Sequence, residues 1–357
     1  MTKQLHIPFY IKLAFIFLSI IAFVFILIIG KNILIPIVYA TIIAILLNPL
    51  VNFLTKRKVN NVVAIALVAV FGTTLVAVLF YLILSQITSF SDSLPFLKIK
   101  IDELTRNLIQ WLSKILNVHQ SEITTWINTT EKKEFYVFSV TQKFNEISNV
   151  LVTVFLLPIY MILILYYKPL FLDFIAKLFR SEHHLAVVEV LTNSKKIIQH
   201  YLIGLFFEMI IRFGLNVIGL LMLDMDYVIL LAILGALLNI IPFIGGVLGI
   251  GIFILVALAT KSPIYAVYLI GIFSVIQIID KNLIVPKIVS SRVKINAFVS
   301  LIVVILGGAI WGINGMFLSI PLTAIVKVIF DHIEPLKPWG FVLGNSMSAS
   351  SKFSFKK

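Results

Sequence analysis

The sequence predicts an all-α, polytopic membrane protein with about eight transmembrane helices, a broken, re-entrant hairpin and a small helical extracytoplasmic insert. Hydrophobic residues make up 60% of the chain and charged residues only 13%, with a mean hydropathy of +1.08, whereas soluble domains carry about 25% charged residues. Apolar runs near the roughly 20 residues that one helix needs to cross a bilayer recur along the chain. One uncharged run, residues 228–260, exceeds a single crossing and contains Pro242, Gly245 and Gly246.

The composition also excludes several classes of function. The chain has no cysteine, which excludes disulfides, thiolate catalysis and cysteine-bound metals. It contains no H-E-x-x-H, G-x-S-x-G or G-x-x-x-x-G-K-[ST] motif, so we predict no enzyme and no bound cofactor or metal. The net charge of +13 indicates Lys and Arg in cytoplasmic loops rather than a nucleic-acid partner.

Residues 1–85 are predicted to form transmembrane helices one to three, near residues 13–29, 33–50 and 62–84. Lys3 and Lys12 precede the first helix, and a basic cluster at residues 56–58 follows the second. Because cytoplasmic loops carry an excess of Lys and Arg, these positions place the N-terminus in the cytoplasm.

Residues 86–148 are predicted to form a soluble, extracytoplasmic helical insert. Acidic and basic residues balance one another in this segment, unlike in the basic loops assigned to the cytoplasm. Apolar residues such as Leu104, Leu108 and Leu112 recur at helical spacing, which indicates amphipathic helices.

Residues 149–200 are predicted to contain transmembrane helix four, kinked at Pro158, followed by cytoplasmic helices on the membrane surface. The segment from residue 168 to 199 carries several lysines and one arginine, which assigns it to the inner side of the membrane.

Helix five, near residues 201–223, begins a C-terminal transmembrane core at residues 201–332. Glu208, Arg212 and Asn216 recur at four-residue spacing, on one face of the helix. A charge near the bilayer centre costs about 3 kcal/mol, and oppositely charged residues four apart can neutralise each other. Two interpretations stay open: a buried Glu208–Arg212 ion pair that fixes helix packing, or a site for a polar solute or proton.

The hairpin at residues 228–260 is the feature around which the predicted pathway is built. Pro242 lacks a backbone N–H, and Gly245 and Gly246 tolerate backbone angles that other residues avoid, so a helix should break here. Broken helices near the bilayer midplane form the substrate sites of many transporters. Asn239, just before the break, could bind the freed carbonyls. A single crossing would put the basic linker at residues 280–294 outside, which favours a hairpin.

The remaining core consists of helix six, near residues 264–279, and a final pair of helices within residues 297–328. Gln277 and Asp280, with Asn282, form a second polar cluster, either in the pathway or at an ordinary helix end. A tight turn at residues 312–315 joins the final pair. Gly249, Gly308 and Gly312 belong to G-x-x-x-G patterns and are predicted to pack helices together. Residues 333–357 are predicted to be a mobile cytoplasmic tail.

Four ordered motifs resemble one known family. The motifs are Tyr201-Leu-Ile-Gly-Leu, Asn239-Ile-Ile-Pro-Phe-Ile-Gly-Gly, Gln277-Ile-Ile-Asp-Lys-Asn-Leu-Ile-Val-Pro286, and Gly307-Gly308 followed by Gly312-Ile-Asn-Gly315 and Ile320-Pro321. Together they resemble the autoinducer-2 exporter-like (AI-2E) family of bacterial transporters. The resemblance implies a homo-oligomer, with a pentamer as one option, and export of autoinducer-2 or sodium/proton antiport. Asn296-Ala297 departs from the His-Pro or similar pair that relatives often carry.

The sequence therefore predicts a multi-pass secondary transporter of the cytoplasmic membrane, with both termini in the cytoplasm, that exports a small polar solute such as an autoinducer-2-like signal. One alternative is a sodium/proton-type antiporter in which Glu208 or Asp280 carries the proton. Another is a non-transporting scaffold that binds a partner through the outer insert. The residues predicted to line the pathway are Glu208, Arg212, Asn216, Asn239, Pro242, Gly245, Gly246, Gln277 and Asp280.

Overall fold

The structure is a computed structural model that describes residues 8–91, 94–116, 118–122, 124–125, 156–288 and 295–345. Nearly all of these residues are helical, and the isolated bridge between Ile295 and Gly344 is the β-type pairing within them. The predicted all-α class is therefore confirmed. The helices are α1 (Phe9–Ile29), α2 (Lys31–Lys56), α3 (Asn61–Ser91), α4 (Leu94–Leu116), α5 (Leu156–Tyr166), α6 (Lys168–Leu178), α7 (His184–Met222), α8 (Val228–Asn239), α9 (Gly245–Thr260), α10 (Ile264–Ile279), α11 (Ala297–Trp311), α12 (Ile313–His332) and α13 (Lys337–Leu343).

The number of membrane-spanning helices is close to the prediction. Within the described residues, six helices are long and apolar enough to cross a membrane, or seven if the bent pair α5 and α6 forms one span. The remaining predicted span, the first helix of the final pair, corresponds to α11, which has 15 residues and is about 22 Å long. That length falls short of the roughly 30 Å of a hydrocarbon core. The chain is a polytopic helical membrane protein.

The chain forms two compact units. The first comprises residues 1–66, 159–202 and 290–357, and the second comprises residues 67–158 and 203–289. In the first unit, α11 and α12 turn sharply at Gly312, which has a φ of 61°. The two helices then approach closely, because a side chain at Gly307 would collide with the backbone of Gly315.

The second unit contains the predicted hairpin. Helices α8 and α9 are separated by a break at residues 240–244 and pack antiparallel, with Gly249 facing Gly235. Asp224 precedes the hairpin and Lys261 follows it, and their Oδ2 and Nζ atoms lie 3.7 Å apart. The two ends of the hairpin therefore lie close together. Its core is fully buried Leu231, Phe253 and Leu269 with their apolar neighbours.

The structure differs from the sequence-based boundaries in two places. The predicted start of helix five near residue 201 is absent, because α7 runs without interruption for 39 residues from His184 to Met222. Helix α3 extends to Ser91, and α4 occupies residues of the predicted insert and packs beside α9. Residues 126–148 of the insert lie outside the described residues, as does the start of helix four.

The segment after α12 is helical within the predicted tail region. A 3-10 turn at Glu334–Leu336 leads into α13. Asn296 holds this segment, because its Nδ2 donates hydrogen bonds to the carbonyl oxygens of Val342 (2.7 Å) and Gly344 (3.0 Å). The residue that departs from the family pattern thus fastens α13 to the start of α11.

Candidate functional site

The polar face of α7 is buried in the second unit. Glu208, Arg212 and Asn216 are only 7%, 2% and 0% exposed. Their four-residue spacing stacks them along one side of the helix. Neighbouring helices must supply partners for these three side chains, because an unpaired polar group in an apolar interior is costly.

Arg212 makes its contacts with α10 and the segment that follows it. Its Nη1 lies 3.3 Å from Oδ2 of Asp280, and its Nη2 donates a hydrogen bond of 2.8 Å to Oε1 of Gln277. The Cζ of Arg212 also lies 6.0 Å from the ring centre of Phe273. Among the described residues, the ion pair of Arg212 is with Asp280, whereas a pair with Glu208 is one of the two interpretations that the sequence leaves open. The local i, i+4 spacing is present, but tertiary packing supplies the partner.

Asn239 connects the hairpin to both carboxylates. Its Nδ2 donates to Oε1 of Glu208 at 2.9 Å and to Oδ2 of Asp280 at 3.2 Å. Asn239 is the last residue of α8, directly before the break. The interruption of the helix therefore places an amide between two acidic side chains of different helices. Its recorded partners are these side chains and not the freed carbonyls that the sequence analysis suggested.

The glycines after the break allow close approach to the polar residues. A Cβ at Gly246 would lie 3.0 Å from Oε1 of Gln277, and a side chain at Gly245 would collide with the carbonyl oxygen of Leu238. Pro242 belongs to the turn itself, where its carbonyl oxygen accepts a hydrogen bond from the N–H of Ile244. Pro242 therefore shapes the break, whereas Gly246 borders the polar side chains.

Asp280 begins a π-helical segment, Asp280–Ile284, that continues α10. Short π-helical segments inside α-helices are frequent at functional sites. Asp280 is 2% exposed, while Asn282, expected to join the same cluster, is exposed and donates to the carbonyl oxygen of Ile278. Residues two apart on a helix point to different faces, so Asp280 and Asn282 do not share one cluster.

We call Glu208, Arg212, Asn239, Gln277 and Asp280 the polar cluster. With all its ionisable groups charged, it contains two carboxylates and one guanidinium. Among the described residues, the buried atoms Arg212 Nε and Asp280 Oδ1 have no hydrogen-bond partner, although such atoms are usually satisfied. No group of three or more His, Cys, Asp or Glu side chains suited to a metal ion occurs in the described part of the chain.

Asn216 lies beside the hairpin helices, away from the polar cluster's recorded contacts. Its Nδ2 donates to the carbonyl oxygen of Ala232 at 3.3 Å, and its Oδ1 has no partner in the described structure. A Cβ at Gly235 would lie 2.8 Å from that Nδ2. Sequence analysis missed Gly235 and Phe273, because contacts between helices carry no local sequence signal.

The glycines predicted to pack helices divide into two groups. Gly249 faces Gly235 in the hairpin, and Gly308 faces the side chain of Met316. Gly312 is different: nothing lies within 4 Å of a Cβ built there, and its φ of 61° marks a turn. Its function is to adopt a left-handed backbone conformation, which L side chains disfavour.

Comparison with known proteins gives matches along nearly the whole chain. A family model described as "AI-2E family transporter" matches residues 15–334. "Putative transport protein YueF" of Bacillus subtilis is 24% identical over 303 residues, covering 81% of each chain. "Putative transport protein YhhT" of Escherichia coli is 26% identical over 309 residues, covering 84% of each. A "Putative transport protein" of Borreliella burgdorferi is 34% identical over 131 residues, covering 36% of each.

Proposed function

Because the chain belongs to the AI-2E family of membrane transporters, we propose that it is a secondary transporter that exports a small polar solute. The chain contains no G-x-x-x-x-G-K-[ST] loop, the nucleotide-binding motif of many ATP-driven pumps. We further propose that it performs no enzymatic reaction. The observation that carries the proposal is the polar cluster, which gathers side chains from α7, α8 and the end of α10 next to a broken helix.

The polar cluster is suited to a solute with both hydrogen-bond donors and acceptors. Arg212 and Asn239 present donors, Glu208 and Asp280 present acceptors, and Gln277 presents both. A hydroxylated metabolite that leaves water needs such replacements, since unpaired polar groups are costly in an apolar interior. This chemistry agrees with a small, autoinducer-2-like signal or a related metabolite. The broken hairpin leaves room for the approach, because Gly246 presents no side chain towards Gln277.

A second candidate function is sodium/proton-type antiport. The observation that favours it is that the polar cluster contains two carboxylates but only one guanidinium group. Glu208 and Asp280 are both buried, and two buried negative charges facing one Arg212 favour uptake of a cation or proton. Under this alternative Glu208, whose recorded partner is the neutral amide of Asn239, is the proton carrier.

We propose that α8 and α9 form a re-entrant hairpin that enters and leaves the membrane on the outer side, with both termini cytoplasmic. The proximity of Asp224 and Lys261 supports this proposal. A Ser262→Cys variant should react with a membrane-impermeant thiol reagent from the outer side; reaction only from the cytoplasmic side would contradict the hairpin. We also propose a homo-oligomer, a pentamer being one option.

The proposed function is tested by flux in vesicles reconstituted with the full chain. A panel of hydroxylated and acidic metabolites is loaded, and their release is compared with that from protein-free vesicles. In parallel, dequenching of a pH-sensitive dye is followed with and without sodium. Release of a metabolite supports solute export, and sodium-dependent dequenching supports antiport. If a folded preparation shows neither metabolite release nor sodium-dependent dequenching, both proposed functions are contradicted.

A further inference from the structure

A second polar site lies in the first unit, distinct in its residues from the polar cluster. A cavity of about 490 Å³ lies between the N-terminal part of α7 and the C-terminal half of α12. Its polar lining consists of Asn193, Lys196, His200, Lys327, Asp331 and His332. Two lysines and two histidines thus face one aspartate.

Lys196 has the charge most available to a ligand. Within the described structure, no hydrogen bond or ion pair involves its Nζ. Its neighbour His200 uses Nδ1 to contact the carbonyl oxygen of Lys196 at 2.6 Å, which leaves Nε2 for another partner. The cavity therefore contains one unpaired ammonium and one imidazole nitrogen on the same side of α7.

The opposite wall of the cavity is partly neutralised by its own contacts. Lys327 pairs with Asp331 one turn further along α12. His332 contacts the carbonyl oxygen of Val328 through Nδ1, and its Nε2 lies 3.6 Å from Oε1 of Glu189. This wall contributes orientation and hydrogen-bond donors, while the excess positive charge comes from Lys196.

The surroundings of the cavity indicate where it lies relative to the bilayer. Helix α7 changes here from the polar stretch 189–200 to the apolar stretch 201–222. Helix α13 packs over Asp331, because a side chain at Gly340 would collide with that carboxylate. Its Trp339 and Phe341 are 63% and 57% exposed. Exposed aromatic residues on a short helix, next to basic residues at the end of an apolar span, are typical of the membrane interface.

We propose that this cavity binds the phosphate of an anionic molecule, held by Lys196 with His200 and Lys327. Basic pockets between transmembrane helices bind the head groups of anionic lipids. Ammonium groups bind phosphate as point charges. The interfacial position of α13 favours a lipid head group over a soluble phosphate, and the test separates these two sources. The proposal rests on the protein being a membrane protein and not on the solute that it transports.

The test compares two lysine variants of the full chain in detergent by native mass spectrometry. Lys196→Gln removes the unpaired charge of the cavity, and Lys177→Gln removes an exposed lysine of α6 that does not line it. Each protein is titrated with short-chain phosphatidylglycerol, with the matching phosphatidylcholine and with inorganic phosphate. Lys196→Arg, which keeps the charge, serves as the rescue variant. Both lysines are exposed, so the thermal unfolding curves of all three variants should match that of the parent protein.

We expect one phosphatidylglycerol to bind the parent chain more tightly than phosphatidylcholine. Lys196→Gln should weaken this binding about fivefold, as expected for the loss of one lysine near anionic lipid, while Lys177→Gln and Lys196→Arg leave it unchanged. A Lys196-dependent response to inorganic phosphate but not to the lipid would assign the soluble source. Equal binding of the two lipids without a response to phosphate, or equal weakening by Lys196→Gln and Lys177→Gln, would overturn the proposal.

Discussion

Arg212 and Asp280 pair across two helices, with Nη1 and Oδ2 3.3 Å apart and both side chains at most 3% exposed. Arg212 lies in the C-terminal half of α7, and Asp280 is the first residue of the π-helical segment after α10. Asn239, at the broken end of α8, donates to the same Asp280 oxygen. One carboxylate oxygen thus joins three helices, and removal of its cationic partner should affect all of them.

Replacement of Arg212 by Gln should strongly destabilise the protein. The change leaves Glu208 and Asp280 buried without a cation, and breaking a buried pair from one side costs about 3–5 kcal/mol. The measurement is the thermal unfolding midpoint in detergent. Arg180→Gln is the matched control, because the Arg180 side chain is 85% exposed. The double variant Arg212→Gln/Asp280→Asn should recover part of the loss. Equal midpoints for Arg212→Gln and Arg180→Gln would contradict this role.

Two glycines of α9 should respond differently to alanine. A Cβ at Gly246 would lie 3.0 Å from Oε1 of Gln277 and push it from Arg212, whereas nothing lies within 4 Å of a Cβ at Gly251. Gly246→Ala should therefore reduce flux. Gly251→Ala should keep flux and gain up to about 1 kcal/mol from helix propensity. Flux in vesicles and thermal unfolding measure the two effects, and equal flux in both variants would contradict the proposed use of Gly246.

Asn296→Ala should loosen the C-terminal helix without affecting the polar cluster. Asn296 caps α11 by accepting from the N–H of Val299 at 2.8 Å, and it also holds Val342 and Gly344. Loss of such a cap costs about 1 kcal/mol. Amide hydrogen exchange should become faster in residues 337–345. Asn282→Ala, which removes an exposed hydrogen bond within one helix, should leave this region unchanged; the same exchange in both variants would contradict the tether.

Glu208→Gln should abolish transport while the fold persists. The Oε1 of a glutamine can still accept the hydrogen bond from Asn239, but the side chain can no longer carry charge or bind a cation strongly. Glu189→Gln on the same helix is the matched control, since the Glu189 side chain is 64% exposed. Flux is measured in vesicles with whichever solute or cation the parent protein moves. If Glu208→Gln transports like Glu189→Gln, the carboxylate is structural.

The features that could be predicted from the sequence depend on the types and spacing of residues that are close together in the chain. The interrupted hairpin follows from Pro242, Gly245 and Gly246 in an uncharged run, and the shared face of Glu208 and Arg212 follows from helix periodicity. The partner of Arg212 could not be predicted in this way. Asp280 is distant in sequence, and local spacing does not indicate which helices pack together.

The helix boundaries show the same division. Gly312 belongs both to a G-x-x-x-G pattern and to the predicted turn at residues 312–315; its positive φ agrees with the turn, and α11 ends one residue before it. The continuation of α7 through residue 200 was missed, since its first half is polar and reads as a surface helix. An apolar composition indicates which part of a helix can lie in lipid. It does not indicate whether the helix continues beyond the lipid.

In the proposed pathway, water and solute reach the polar cluster through the broken hairpin. The chain lacks cysteine, so single-cysteine variants can be labelled directly in membrane vesicles. Gln277→Cys is compared with Phe253→Cys, which replaces a fully buried core residue of α9, and the rate of reaction with a small, charged methanethiosulfonate is measured for each. We predict that Gln277→Cys reacts readily and Phe253→Cys does not. Equal, negligible reaction of both in folded protein would contradict a pathway through the polar cluster.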